Sequence, residues 1–108
     1  MTLAVATVLR AFLDDPADPR YGYDLMRATG YPSGKLYPIL ARLEAAGWLV
    51  KQVENIDPAE IGRPPRRLYR IDPGCLSMIR TELAALSERL RLAPPGPGGR
   101  LSPEGGRA

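Results

Sequence analysis

The first half of the chain contains three segments in which apolar residues recur at helical spacing. The first segment begins after Thr2 and is predicted to end near Leu13, with an apolar face formed by Val5, Val8, Leu9 and Phe12. Residues 14–20 then contain two prolines and three aspartates, a composition that ends helices and accepts turns. A second, short helix is predicted over Tyr21–Thr29, and Gly30 supplies the left-handed position at which helices stop easily.

The third segment is predicted to be a helix from about Ser33 to Gly47. Pro32 holds the preceding residue in an extended conformation, and Ser33 is expected to cap the helix N-terminus. Pro38 lies inside the segment, where it removes an amide donor, so we expect an irregular first turn. The apolar face is predicted to consist of Leu36, Ile39, Leu40 and Leu43.

In the centre of the chain, the helical spacing of apolar residues gives way to short segments rich in β-prone residues. The segments Trp48–Glu54 and Arg67–Ile71 are predicted to form the two strands of a hairpin. Their connection, residues 55–66, contains Asp-Pro, Gly and Pro-Pro steps that suit an exposed loop. Three helices followed by a hairpin indicate a mainly α fold with a small β-hairpin, a winged helix-turn-helix domain over residues 1–72.

A fourth helix is predicted over residues 73–92, after Asp72 and Pro73 provide a cap and a first-turn proline. Its apolar residues follow heptad spacing and are Leu76, Ile79, Leu83, Leu86 and Leu90. Because this stripe exceeds what the small core needs, we expect it to be the interface of a homodimer. The alternative is that the stripe packs onto its own domain. Residues 93–108 are almost all Pro, Gly and small or charged residues, which predicts a flexible tail.

Composition narrows the classes of function. The 108 residues allow one compact domain, and the net charge is +3 with Arg supplying most of the cations. An Arg-rich chain suits phosphate recognition, although a GC-rich genome produces the same bias. The chain contains one cysteine, Cys75, and no histidine, so we expect no metal site, no cofactor and no enzymatic activity. No apolar run is long enough to span a membrane, and a cytoplasmic protein is the expectation.

Cationic and phenolic side chains are concentrated where a winged helix meets DNA. The start of the third helix enters the major groove in such folds, and turning its leucines inward places Lys35, Tyr37 and Arg42 outward. The sequence GRPPRRLYR in the hairpin carries arginines suited to phosphates or to a narrow minor groove. Each cluster alone is also compatible with an ordinary solvated surface. Together on one domain, the two clusters favour DNA binding.

The motifs YGYDLMRATG, YPSGKLYPILARLEAAGWL and GRPPRRLYRI resemble the pattern of the PadR family of transcriptional regulators. The similarity runs from Leu3 to Ile71, and its Leu-Tyr-Pro step accounts for the proline inside the third helix. The resemblance implies a dimeric bacterial repressor of its own or a neighbouring promoter, in some relatives released by a small aromatic or drug-like effector. Lys35 stands where threonine is more usual. The predicted DNA contacts are Tyr21, Ser33, Lys35, Tyr37, Arg42, Arg63, Arg66 and Arg67.

The predicted homodimer has a consequence for its DNA site, and the basic hairpin allows an alternative function. A dimer would hold two recognition helices about 34 Å apart on one face of the duplex, which predicts a two-fold, palindromic operator. A winged-helix module that binds an acidic protein surface instead of DNA is the alternative function. Salt distinguishes the two, because a protein that contacts several phosphates loses affinity steeply between about 50 and 200 mM salt.

Overall fold

Five helices and three strands form within residues 1–92, the part of the chain that the computed structural model describes. The helices are α1 (Leu3–Arg10), α2 (Gly22–Thr29), α3 (Ser33–Ala45), α4 (Pro58–Ile61) and α5 (Leu76–Leu92). The strands are β1 (Arg20–Tyr21), β2 (Leu49–Val53) and β3 (Arg67–Ile71), and a 3₁₀ turn, Pro73–Cys75, precedes α5. The predicted flexible tail at 93–108 lies outside the described residues.

The N-terminal helix has the predicted apolar face but ends earlier than expected. Thr2 caps α1, and its hydroxyl accepts a hydrogen bond from the Val5 amide at 3.1 Å. Beyond Arg10 the hydrogen bonds change to the 3₁₀ pattern, because the amides of residues 11–13 donate to the carbonyls three positions earlier. Phe12 therefore remains fully buried although it lies outside the regular helix.

The third helix corrects two predictions about its N-terminus. Pro32, not Ser33, occupies the N-cap position, and no side chain caps this end. Ser33 is the first helical residue, where its backbone has already turned into the helix. The expected irregularity at Pro38 is also absent, since α3 continues without interruption from Ser33 to Ala45. Gly47 then ends the segment with a positive φ of 83°.

The predicted hairpin is present, and a third strand extends it. β2 pairs with β3 in antiparallel register from Leu49 opposite Ile71 to Val53 opposite Arg67. The short β1 pairs with the other edge of β3, giving the strand order β1-β3-β2. The loop between β2 and β3 contains the unpredicted helix α4, which Asp57 caps. The fold is thus mainly helical with a small antiparallel sheet, as the sequence predicted.

One core joins the three N-terminal helices, the sheet and the start of α5. Its buried members are Val8, Leu9, Phe12, Leu25, Leu36, Ile39, Leu40, Leu43, Leu49, Tyr69, Ile71 and Ile79. Ile79 has no exposed surface, and Leu76 and Leu83 pack partly against the same core. This burial corrects the predicted interface, because Ile79 is a core residue of its own domain. Leu86 is half-buried, whereas Leu90 is 56% exposed.

Within residues 1–92, no helix combines the length and the apolar character that crossing a membrane requires.

Candidate nucleic-acid interface

An open groove of about 850 Å³ separates the start of α2 from the wing, which here means β2, β3 and their connecting loop. The residues that line it are Tyr21, Gly22, Tyr23, Asp24, Tyr37, Pro65, Arg66 and Arg67. The groove therefore brings together four of the predicted DNA contacts, namely Tyr21, Tyr37, Arg66 and Arg67. Residues distant in sequence meet there because β1 pairs with β3 and delivers the start of α2 to the wing.

Tyr37 projects from α3 across the start of α2. A methyl group at the Cα of Gly22 would lie 2.1 Å from the Tyr37 hydroxyl oxygen and 2.8 Å from its ring carbon Cζ. Only glycine allows this approach, since such distances are far inside van der Waals contact. The absent side chain at Gly22 thus leaves space for the phenol, which remains 38% exposed to solvent.

The other predicted residues of α3 are exposed outside the groove lining. Ser33 and Lys35 are solvent-exposed in its first turn, and the Lys35 ammonium lies 4.1 Å from the centre of the Tyr31 ring. This cation–π contact holds the lysine near the helix start. Arg42 is exposed two turns further along, about 10 Å from Lys35 along the helix axis.

A carboxylate that the sequence analysis did not identify organises the wing. Glu54 accepts hydrogen bonds from both terminal nitrogens of Arg63, at 2.7 and 3.2 Å. It also accepts one from the Arg66 amide at 3.2 Å and one from the Tyr21 hydroxyl at 3.3 Å. The hydrogen bonds from Arg63 are the largest of the effects that lower the pKa of Glu54 to about 2. The carboxylate is therefore ionised at neutral pH.

The predicted arginines of the wing differ in their environments. Arg63 is half-buried and forms an ion pair with Glu54, which raises the pKa of its guanidinium. Arg66 and Arg67 are exposed. The Arg66 guanidinium carbon lies 5.3 Å from the centre of the Tyr21 ring, in cation–π geometry. Arg66 and Arg67 consequently present positive charge to the groove, while the charge of Arg63 is neutralised within the protein.

The candidates for other chemistry are few in the described part of the chain. No three His, Cys, Asp or Glu side chains within residues 1–92 are grouped to hold a metal ion. The Cys75 thiol is half-buried, 3.5 Å from the Gly47 carbonyl oxygen and 3.6 Å from the Asp72 carboxylate. Burial raises the pKa of this thiol, so it is held in the protonated, weakly nucleophilic form.

Comparison with solved structures shows where this fold recurs. It is similar to a PadR-like transcription factor from Bacteroides fragilis, with a TM-score of 0.61 and 23% identity over 82% of this chain and 82% of that chain. It is also similar to smu.1704 from Streptococcus mutans UA159, with a TM-score of 0.57 and 21% identity over 83% of this chain and 77% of that chain. Among the curated proteins, no sequence matches.

The family follows from the sequence match, which covers more than half of the chain. Residues 11–74 match the transcriptional regulator PadR-like family, a segment that runs from the end of α1 to the turn before α5. It includes α2, α3 and the complete wing, and hence every residue that lines the groove. The match and the fold confirm the resemblance seen in the motifs: the chain belongs to the PadR-like family of transcriptional regulators.

Proposed function

We propose that this protein is a dimeric, sequence-specific DNA-binding repressor of its own or a neighbouring gene. The observation that carries the proposal is the groove, which places Tyr37 of α3 opposite Arg66 and Arg67 of the wing. A recognition helix and a cationic wing on one face fit a duplex, because the helix reads base edges while the wing contacts the backbone.

The exposed side chains divide between those two tasks. Lys35, Tyr37 and Arg42 lie on the exposed surface of α3, where they are proposed to reach the major groove. Arg66 and Arg67 are proposed to contact phosphates or the adjacent minor groove, where negative potential attracts arginine. Tyr21 is proposed to contact DNA between α3 and the wing, since its ring lies against the Arg66 guanidinium.

Dimerisation is proposed to use the second half of α5. Leu86 and Leu90 continue the heptad stripe beyond the point at which Ile79 enters the core, and Leu90 is 56% exposed. A second copy of the chain, paired along this stripe, would cover the exposed leucines. The two-fold symmetry of such a pair supports a palindromic operator. Release by a small-molecule effector enters the proposal from the family resemblance alone.

Binding of the purified protein to the DNA upstream of its own gene, against a scrambled duplex, tests the proposal. The experiment is run at about 50 and 200 mM salt, because several phosphate contacts produce a steep loss of affinity over this range. We expect tight binding that prefers the upstream sequence and weakens with salt. Weak binding that is indifferent to sequence would favour the alternative module that contacts an acidic protein surface.

A further inference from the structure

Glu54 is an acidic residue in a wing whose proposed DNA contacts are arginines, and its presence there requires an explanation. A carboxylate on a surface that meets phosphates opposes binding by charge repulsion. Glu54 is nevertheless only 17% exposed in its side chain and bonded to three residues that the sequence analysis predicted as DNA contacts. Its bonds reach across 9, 12 and 33 positions of sequence, to Arg63, Arg66 and Tyr21.

These bonds fix the loop on both sides. Besides the side-chain contact, the Glu54 amide donates to the Arg66 carbonyl at 2.9 Å, so the two residues are joined twice. The bidentate contact with Arg63 attaches a second loop residue, three positions before Arg66, to the same carboxylate. The Tyr21 hydroxyl ties the carboxylate to β1, and the Tyr21 ring lies under the Arg66 guanidinium.

We propose that Glu54 is a positioning residue that holds the wing in its DNA-binding geometry and that Arg63 is its structural partner, not a phosphate contact. This inference rests on the proposed function. Arg66 and Arg67 then supply the cationic contacts, and the Arg66 guanidinium already lies against the Tyr21 ring before DNA arrives. Ordering a loop and a long side chain on binding costs conformational entropy, so holding the loop backbone and the Arg66 side chain in place beforehand corresponds to about a tenfold gain in affinity.

The substitution Glu54→Gln separates positioning from simple charge. It removes one negative charge, so electrostatics alone predicts tighter DNA binding, whereas loss of the Glu54 contacts predicts about tenfold weaker binding to the upstream sequence. Glu60→Gln is the matched control, because it makes the same charge change on the exposed surface of α4 in the same loop. We expect Glu60→Gln to bind as well as the wild type or slightly better. Binding by Glu54→Gln that equals or exceeds that of the wild type would overturn the proposal.

A double substitution tests the role of Arg63. If Arg63 acts only through Glu54, Arg63→Gln and Glu54→Gln each weaken binding, and the double variant is no weaker than either one. The slope of log affinity against log salt stays at the wild-type value for Arg63→Gln, while Arg67→Gln lowers its magnitude by about 1. Additive losses together with a reduced slope for Arg63→Gln would make Arg63 a phosphate contact and contradict the inference.

Backbone amide exchange measures the same contacts without DNA. The Arg66 amide is bonded to the Glu54 carboxylate, so Glu54→Gln is expected to speed its exchange relative to both the wild type and Glu60→Gln. Unchanged exchange would show that the carboxylate does not hold the loop. If the wild type fails to prefer its upstream DNA, the proposed DNA-binding function fails, and the exchange rate still decides whether Glu54 orders the wing.

Discussion

The wing and α5 differ in whether their side chains find all of their contacts within one chain. In the wing, Glu54, Arg63 and Arg66 find their partners within one chain, and Tyr21 of β1 is one of those partners. In α5 only the first half does so, since Ile79 is fully buried while Leu90 is 56% exposed. A single chain therefore suffices to build the proposed DNA-binding surface. The same chain leaves an apolar helix end that a second copy is proposed to cover.

The largest expected effect is on association. Leu86→Glu places a charge in the proposed interface, where an unpaired carboxylate is strongly unfavourable, so the dimer should dissociate to monomers. Sedimentation measures the change, and circular dichroism should show an intact fold. Leu86 is preferable to Leu83, because Leu83 also packs on the core of its own domain. Ala85→Glu, with the same charge on the exposed face of α5 away from the stripe, should remain dimeric, and dimeric Leu86→Glu would contradict the proposed interface.

The next largest effect is on stability and concerns the first half of α5, which packs on the core. Ile79→Ala removes a fully buried side chain and should lower the free energy of unfolding by about 2 to 5 kcal/mol. Denaturant unfolding measures the loss. Leu92→Ala, at a position that is 68% exposed, should change the stability by no more than about 0.5 kcal/mol. Similar losses for the two variants would remove the distinction between the halves of α5.

A smaller effect tests recognition by α3. Lys35→Ala should reduce affinity for the upstream DNA by about 1 to 3 kcal/mol if the ammonium reads a base edge. The measurement is a titration of the upstream duplex and a scrambled duplex in parallel. Loss on the upstream duplex alone assigns Lys35 to base recognition. Equal loss on both would make it a phosphate contact, and no loss on either would remove it from the interface.

A still smaller effect concerns the fit between α2 and α3. Gly22→Ala would place a methyl group 2.1 Å from the Tyr37 hydroxyl oxygen, so the phenol must swing away from its position. Because Tyr37 is partly exposed and can move, we expect a loss of only about 1 kcal/mol in stability, accompanied by weaker DNA binding. Gly34→Ala meets open space and should leave the fold at least as stable. Unchanged DNA binding by Gly22→Ala would exclude Tyr37 from recognition.

The smallest effect is a dependence of stability on pH. Folding lowers the pKa of Glu54 from 4.5 to about 2, so this group stabilises the folded state above pH 4.5. Its contribution falls progressively as the pH decreases from 4.5 towards 2, where protonation weakens the contacts with Arg63. Denaturant unfolding across this range should show a shallower decline for Glu54→Gln than for the wild type. Parallel declines would show that the ion pair adds nothing to stability.

Sequence reasoning predicted those elements whose signal is local. The apolar spacing of α3 and the β-prone runs of β2 and β3 identified these elements close to their observed bounds. β1 was missed because two residues, Arg20 and Tyr21, are too few to show any periodicity. The helix α4 had a signal that could have found it, since Asp57 followed by Pro58 is a cap with a first-turn proline.

The environments of Ile79 and Arg63 depend on long-range contacts that sequence patterns do not show. A heptad stripe does not reveal whether it faces its own core or a partner, so Ile79 was placed in the interface although it is buried within one chain. The arginines of GRPPRRLYR look equivalent in sequence. Arg63 becomes different only when folding brings it to Glu54, nine residues earlier on the opposite side of the loop.

Hydroxyl-radical footprinting of the protein on the DNA upstream of its gene reports sequence-specific recognition and dimerisation in one experiment. We expect two protected segments on one face of the duplex, related by two-fold symmetry and centred about 34 Å apart. These protections should be lost with Leu86→Glu at concentrations where the wild type protects both segments. Uniform cleavage along the whole fragment would contradict sequence-specific binding, and a single protected segment would contradict the dimer.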